Sequence, residues 1–171
     1  LFVNPLPKPL ILNTDLIFCE SDDPVLIRVS PSGGVLTGTG ITGMYFYPTL
    51  AGEGNHVITY SYTDANTCSA SVSKTLIVNP VPEPLILNTD LIFCENEDSI
   101  LIQVCTDGGV LSGTGISGMY FYPTLAGEGS HVITYTYSDD NSCSESVSKT
   151  LIVNPDPEPL ILNTDVIFCE S

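Results

Sequence analysis

Apolar and polar residues alternate through His131-Val-Ile-Thr-Tyr-Thr-Tyr137. Ile133, Tyr135 and Tyr137 share one face, and Val132, Thr134 and Thr136 share the other. A period of two is the mark of a half-buried β-strand. Residues 91–95 and 100–104 are shorter runs rich in apolar or β-branched side chains, and they read as strands as well. Residues 146–154 read as a last strand whose inward face the pattern leaves ambiguous. Turn signals separate these runs: Asp107-Gly-Gly109, Gly113-Thr-Gly115, Gly127-Glu-Gly129 and Asp139-Asp-Asn141. No stretch carries apolar residues at the 3.6-residue spacing of a helix. About seven short strands with turns every 8 to 12 residues predict an all-β, Ig-like β-sandwich.

The same pattern occurs more than once. Leu1-Phe-Val-Asn-Pro5 returns as Leu76-Ile-Val-Asn-Pro80 and again as Leu151-Ile-Val-Asn-Pro155, a period of 75 residues. Residues 1–75 and 76–150 align without a gap at 56 identities, and residues 151–171 match 76–96 at 18 of 21 positions. Solenoid units are about 20 to 50 residues long, so this period predicts a small domain with its own core, though a marginal one. The predicted organisation is tandem Ig-like domains of about 75 residues. Residues 1–5 are the last strand of a preceding repeat, 6–80 and 81–155 are two full repeats, and 156–171 begin a third, truncated one. Pro5, Pro7 and Pro9, Pro80, Pro82 and Pro84, and Pro155, Pro157 and Pro159 mark three copies of one linker. Proline at alternate positions favours polyproline II, a semi-rigid spacer. The first residues lack a basic segment and a cleavage site, and the chain reads as an internal piece of a longer protein.

Composition narrows the partners. The 171 residues carry 20 Asp and Glu against 4 Lys and Arg, a formal net charge of −16, while 43% are hydrophobic. There is enough apolar material for a core, so this is no disordered acidic tail. Such a charge repels phosphate backbones and excludes nucleic acid. It also repels anionic membrane surfaces, and no apolar run reaches the roughly 18 to 20 residues that span a bilayer.

Cys19 and Cys68 are 49 residues apart, and Cys94 and Cys143 repeat that spacing at equivalent positions. One member lies in an early strand and the other just before the last strand. The expectation is one disulfide within each repeat, Cys19 to Cys68 and Cys94 to Cys143, with buried free thiols as the alternative. Disulfides point to an oxidising, extracellular setting. Cys169 is equivalent to Cys19 and Cys94, and its partner would fall beyond residue 171. Cys105 stands where the first repeat has Ser30, and reads as a buried free thiol or an inter-chain link.

The string from Gly113 to Tyr137 carries Phe121-Tyr-Pro123, Ala126-Gly-Glu-Gly129 and the Ile133-Thr-Tyr135 strand, and Asp140-Asn-Ser-Cys143 follows. Both full repeats resemble the Ig-like/PKD-like tandem repeat domains of giant surface proteins of Bacteroidetes. That resemblance implies secreted adhesins and gliding-motility proteins, commonly exported by the type IX system and held on the cell surface. Asp98-Ser99-Ile100 matches the O-glycosylation motif of that phylum, which makes Ser99 a candidate sugar acceptor; Asp23-Pro24-Val25 does not match.

No catalytic constellation is visible, and the chain is not expected to be an enzyme. His56 and His131 lack partners at metal-ligand spacing and read as packing or hydrogen-bonding residues. There is no nucleophile elbow. No resident cofactor is expected. Calcium is the one ion for which the acidic turns offer hard oxygens: Asp64 and Asn66, Asp139 and Asn141, Asp22 and Asp23, or Glu95, Glu97 and Asp98. Lys74 and Lys149 lack a visible acceptor motif for an isopeptide crosslink. The leading function is a structural repeat segment of an extracellular surface adhesin, stalk or filament, acting as a semi-rigid spacer. Its partners would be neighbouring repeats and, in a filament, identical chains. The alternative is that each repeat is itself a glycan- or protein-binding module, with Tyr45, Phe46 and Tyr47 and their copies Tyr120, Phe121 and Tyr122 as the aromatic candidates.

Overall fold

The structure is a computed structural model, and it describes residues 3–160. It is all-β apart from two single-turn helices. The first repeat contains β1 (Leu10–Ile11), β2 (Ile17–Cys19), β3 (Val25–Leu26), β4 (Val29–Ser30), β5 (Val35–Thr37), β6 (Ile41–Thr42), β7 (Tyr45–Phe46), α1 (Pro48–Ala51), β8 (Gly54–Thr63) and β9 (Ser69–Asn79). The second contains β10 (Ile92–Cys94), β11 (Ile100–Leu101), β12 (Val110–Gly113), β13 (Ile116–Ser117), β14 (Tyr120–Phe121), α2 (Pro123–Ala126), β15 (Gly129–Ser138) and β16 (Ser144–Asn154).

Each repeat is a two-sheet sandwich. In the first, a four-stranded sheet β2-β9-β8-β5 packs on a three-stranded sheet β3-β7-β6, and β1 pairs with β4. In the second, β10-β16-β15-β12 packs on β11-β14-β13. The long β8–β9 hairpin forms the spine, with ten paired positions from Gly54↔Val78 to Thr63↔Ser69. Alternation supplies its buried face: Ile58, Tyr60, Leu76 and Val78 are inside, while Val57 and Ile77 point out. In the last strand of the second repeat, Leu151 and Val153 face in and Ile152 faces out. Phe18 reaches Phe46 across the core at 5.5 Å between ring centroids, and Phe93 reaches Phe121 at 5.7 Å.

The early strand does not join the sheet edge as a hairpin would. It runs parallel to the end of the last strand, Ile17↔Ile77 to Cys19↔Asn79, and β10 repeats this against β16. Two backbone bonds extend the ladder, from Ile77 N–H to the Leu16 carbonyl and from Glu20 N–H to the Asn79 carbonyl.

The described chain forms two compact units. One runs up to Glu83 and also takes in Ser138–Glu145; the other runs from Pro84 to Tyr137 and resumes at Ser146. Pro9 and Pro84, read from sequence as linker, are buried, whereas Pro5, Pro80, Pro155, Pro157 and Pro159 are exposed. The third proline of the motif packs into its sandwich because it lies two residues before a core position, Ile11 or Ile86, on the same extended face.

Two details depart from expectation. The predicted strand over 100–104 stops after Leu101, and Val104 makes only an isolated bridge to Ile86. The helices α1 and α2 have no counterpart in the sequence reading, because a single turn is too short to show a period. Proline at their first turn presets φ, and Gly52 and Gly127 close them at φ 74° and 75°.

A tyrosine ties the sandwich to the loop before β5. The Tyr60 hydroxyl donates to the Pro31 carbonyl at 2.6 Å and accepts from Gly34 N–H at 2.8 Å. Tyr135 makes the same pair of bonds with Thr106 and Gly109. Glycine is required beside it: a Cβ on Gly109 would stand 2.4 Å from the Thr136 carbonyl oxygen and 2.5 Å from the tyrosine ring. Removing the hydroxyl leaves a loop carbonyl and an N–H without these partners. Tyr135→Phe is therefore expected to cost about 1 to 3 kcal/mol, read as a lower urea midpoint with an unchanged slope. Gly109→Ala is expected to cost more than Tyr135→Phe, because backbone must shift to admit the methyl group.

Candidate functional site

The site that the structure assembles is made of cysteines. Cys19 ends β2, and its register partner Asn79 ends β9. A tight turn follows: Asp22 N–H donates to the Cys19 carbonyl at 3.0 Å, and the Asp22 carboxylate accepts from Cys19 N–H at 2.9 Å. Cys143 sits at the tip of the β15–β16 hairpin, within the segment Ser138–Glu145 that belongs to the first compact unit. There the Asp139 Oδ1 accepts from the N–H groups of Asn141 and Cys143, both at 2.9 Å. Asp139 N–H returns a bond to the Cys143 carbonyl, and Ser142 takes φ 67° to close the loop. This is an Asx-type turn built to present the residue that ends it.

Cys19 and Cys143 form a disulfide, with an S–S distance of 1.98 Å and a Cα–Cα distance of 5.6 Å. Cys143 is fully buried. The bond joins residues 124 apart, which is the 49-residue spacing plus one 75-residue period.

The two disulfides expected within repeats are corrected by this. Cys68 and Cys94 carry free thiols. The register shows why Cys19 cannot reach Cys68. Cys19 lies beside Asn79, at one end of β9, while Cys68 precedes Ser69, at the other. Ten residues of strand at ~3.3 Å each separate those ends by roughly 33 Å, and a disulfide needs Cα atoms within about 7 Å. Cys94 and Cys143 are kept apart in the same way by β16, since Cys94 pairs with Asn154 and Cys143 precedes Ser144. The 49-residue spacing is equally consistent with pairing inside a repeat and pairing one period away. The missing signal was the parallel register of the early strand.

The remaining predicted residues are dispersed. Cys105 is exposed rather than buried; its sulfur accepts from Leu85 N–H at 3.1 Å and lies 3.3 Å from the Thr106 hydroxyl. Cys169 lies outside the described residues. Ser99 is exposed immediately before β11. His56 donates from Nε2 to the Gly52 carbonyl at 2.8 Å and packs near Phe46, and His131 does the same with Gly127 and Phe121. Lys74 and Lys149 donate to the main-chain carbonyls of Asn13 and Asn88. Of the aromatic trios, Phe46 and Phe121 are core residues, and Tyr45 and Tyr120 are 45% and 44% exposed.

Of the carboxylates considered for calcium, Asp22, Asp64 and Asp139 accept backbone N–H groups in the cysteine turns. Among the described residues no group of three or more His, Cys, Asp or Glu could hold a metal ion. A surface groove of about 620 Å³ beside β5 is lined by Gly34, Leu36, Ile41 and Met44 and carries no titratable side chain. Among the described residues no helix is long and apolar enough to cross a membrane. The residues that sequence reasoning missed are Asn13 and Asn88. Each side-chain amide accepts from and donates to the backbone of a neighbouring strand, Asn13 to Arg28 and Leu26, Asn88 to Gln103 and Leu101.

No family model matches the chain, and no curated protein matches it. Among solved structures it is similar to Drosophila N-cadherin EC1–4, at 12% identity and a TM-score of 0.36, over 89% of this chain and 50% of that one. It is also similar to the extracellular cadherin domains 1–5 of protocadherin gamma B2, at 14% identity and a TM-score of 0.30, over 90% of this chain and 41% of that one. The chain thus spans half or less of the length of these structures.

The pairing has a direct chemical test. Trypsin can cut after Arg28, Lys74 and Lys149. Without reductant, digestion of the monomeric chain is expected to yield peptide 1–28 joined to 75–149, with 29–74 separate and its Cys68 alkylated. Peptide 1–28 joined to 29–74 would restore the pairing within a repeat. Cys143→Ala is expected to lower the unfolding free energy by about 2 to 5 kcal/mol.

Proposed function

We propose that the chain is a structural repeat segment of an extracellular surface adhesin, stalk or filament, and that it acts as a semi-rigid spacer. The observation that carries this reading is the disulfide between Cys19 and Cys143, one residue from each 75-residue repeat. The main chain through Pro80 and Pro82 is one covalent connection between the repeats, and the disulfide is a second. Two connections restrict hinge motion in a way that one linker does not. A bond that joins one repeat to the next suits an array that resists bending.

The setting follows from the same chemistry. A bond of this kind persists in oxidising compartments, which supports a secreted, extracellular location. A net charge of −16 keeps such a segment soluble and off anionic surfaces. The exposure of Ser99 just before β11 supports its reading as a sugar acceptor.

Small-angle X-ray scattering tests the spacer role. Reduction of the disulfide, verified by alkylation, is expected to broaden the interatomic distance distribution of the full chain and raise its radius of gyration. Cys143→Ala should behave like the reduced protein. An unchanged distribution after verified reduction would show that the bond does not set stiffness, and the spacer reading would fall.

A further inference from the structure

We propose that Cys68 and Cys94 are the two halves of a second bond of the same kind, formed between copies of the repeat. The hairpin-tip Cys68 of one copy closes on Cys94 of another, as Cys143 closes on Cys19. The partner is therefore a second copy of this chain's own repeat, and each repeat carries one donor end and one acceptor end of a continuing covalent series. The inference stands on the observed bond and not on the spacer role.

The equivalence is structural as well as sequential. Cys94 is Cys19 advanced by one period, and Cys68 is Cys143 moved back by one. Cys94 ends β10 beside Asn154 as Cys19 ends β2 beside Asn79. Glu95 N–H donates to the Asn154 carbonyl at 2.9 Å, the same bond that Glu20 makes to Asn79. Glu97 replaces Asp22, and its N–H still closes the turn onto the Cys94 carbonyl at 3.1 Å. At the other end, Asp64 Oδ1 accepts from Asn66 and Cys68 N–H groups at 2.8 and 2.9 Å, and Thr67 takes φ 65° where Ser142 takes 67°. Both halves thus share main-chain bonds with the two ends that form the bond elsewhere in the same molecule. They differ in exposure: Cys143 is fully buried in its bond, whereas Cys68 and Cys94 are half-exposed free thiols.

One such bond leaves Cys94 free on one chain and Cys68 free on the other, so the contact can be repeated. Repetition of it makes an open series. The chemistry is a thiol–disulfide exchange with a small-molecule disulfide such as oxidised glutathione as the oxidant. One thiol displaces a glutathione thiol to form a mixed disulfide. The second thiol attacks that sulfur, the Cys68–Cys94 bond forms, and the second glutathione thiol leaves. Two protein thiols are oxidised, and one glutathione disulfide is reduced to two thiols.

The test uses the full chain carrying Cys105→Ser and Cys169→Ser; Ser30 already occupies the position equivalent to Cys105 in the first repeat. Oxidation is run with glutathione disulfide at ~0.15 M salt, which screens the like charges of the chains. Gel analysis without reductant is expected to show a ladder of monomer, dimer and higher species that collapses to monomer on reduction. Trypsin should release 29–74 joined to 75–149 from the ladder. Adding Cys68→Ser or Cys94→Ser should abolish the ladder, and mixing those two variants should give dimers and stop there. The tryptic link between 1–28 and 75–149 reports that each variant is folded. Dimers of either variant alone, a bond from Cys68 to Cys94 within one chain, or chains that end only as glutathione adducts would each overturn the proposal.

Discussion

Ile17, Phe18 and Cys19 lie parallel to Ile77, Val78 and Asn79, and much else in each repeat depends on that pairing. It carries Phe18 into the core against Phe46. It also supplies the outermost strand of the four-stranded sheet, which would otherwise end on β9. A short strand laid on the edge of a long hairpin covers part of the row of unpaired backbone groups that an open edge presents. Because the pairing falls on Ile77, Val78 and Asn79, Cys19 is delivered to the end of β9 farthest from the hairpin tip. The consequence is chemical: the two cysteines of one repeat occupy opposite ends of a ten-position ladder and cannot meet.

The fold was largely legible in the sequence. Ile58, Tyr60, Leu76 and Val78 and their copies are buried to 2% exposure or less, and the alternation of residues 131–137 identifies half of that set without a structure. Repetition did the rest, since two 75-residue units matched at 56 positions must share one fold. The site was less legible. Spacing along a chain is a one-dimensional quantity, and 49 residues is compatible with neighbouring ends or with distant ones. Which holds depends on which stretch of the last strand the early strand pairs with, and residues 91–95 look the same in either case. Pro9 and Pro84 were misread for a related reason. Proline alternation signals an extended backbone, and an extended backbone also enters a core when every second residue faces inward.

Asp22, Asp64 and Asp139 show a second use for acidic turn residues. Acidic residues in turns of an acidic protein suggest a cation. Their carboxylates accept N–H groups of Cys19, Cys68 and Cys143 or of the residues beside them. A carboxylate that accepts two backbone donors stabilises a loop conformation that glycine or proline would otherwise have to provide. The acid is therefore part of how each cysteine is presented.

The direction of β2 has a mechanical meaning. Tension applied at the amino end of β2 and the carboxyl end of β9 pulls two parallel neighbours past one another. The bonds from Leu16 through Glu20 to Ile77 and Asn79 then lie across the line of force and share it, where an antiparallel hairpin pulled at its open end would yield one rung at a time. A strand of three residues thereby becomes a shear clamp, and the sandwich behind it is shielded from extension until those rungs give way together.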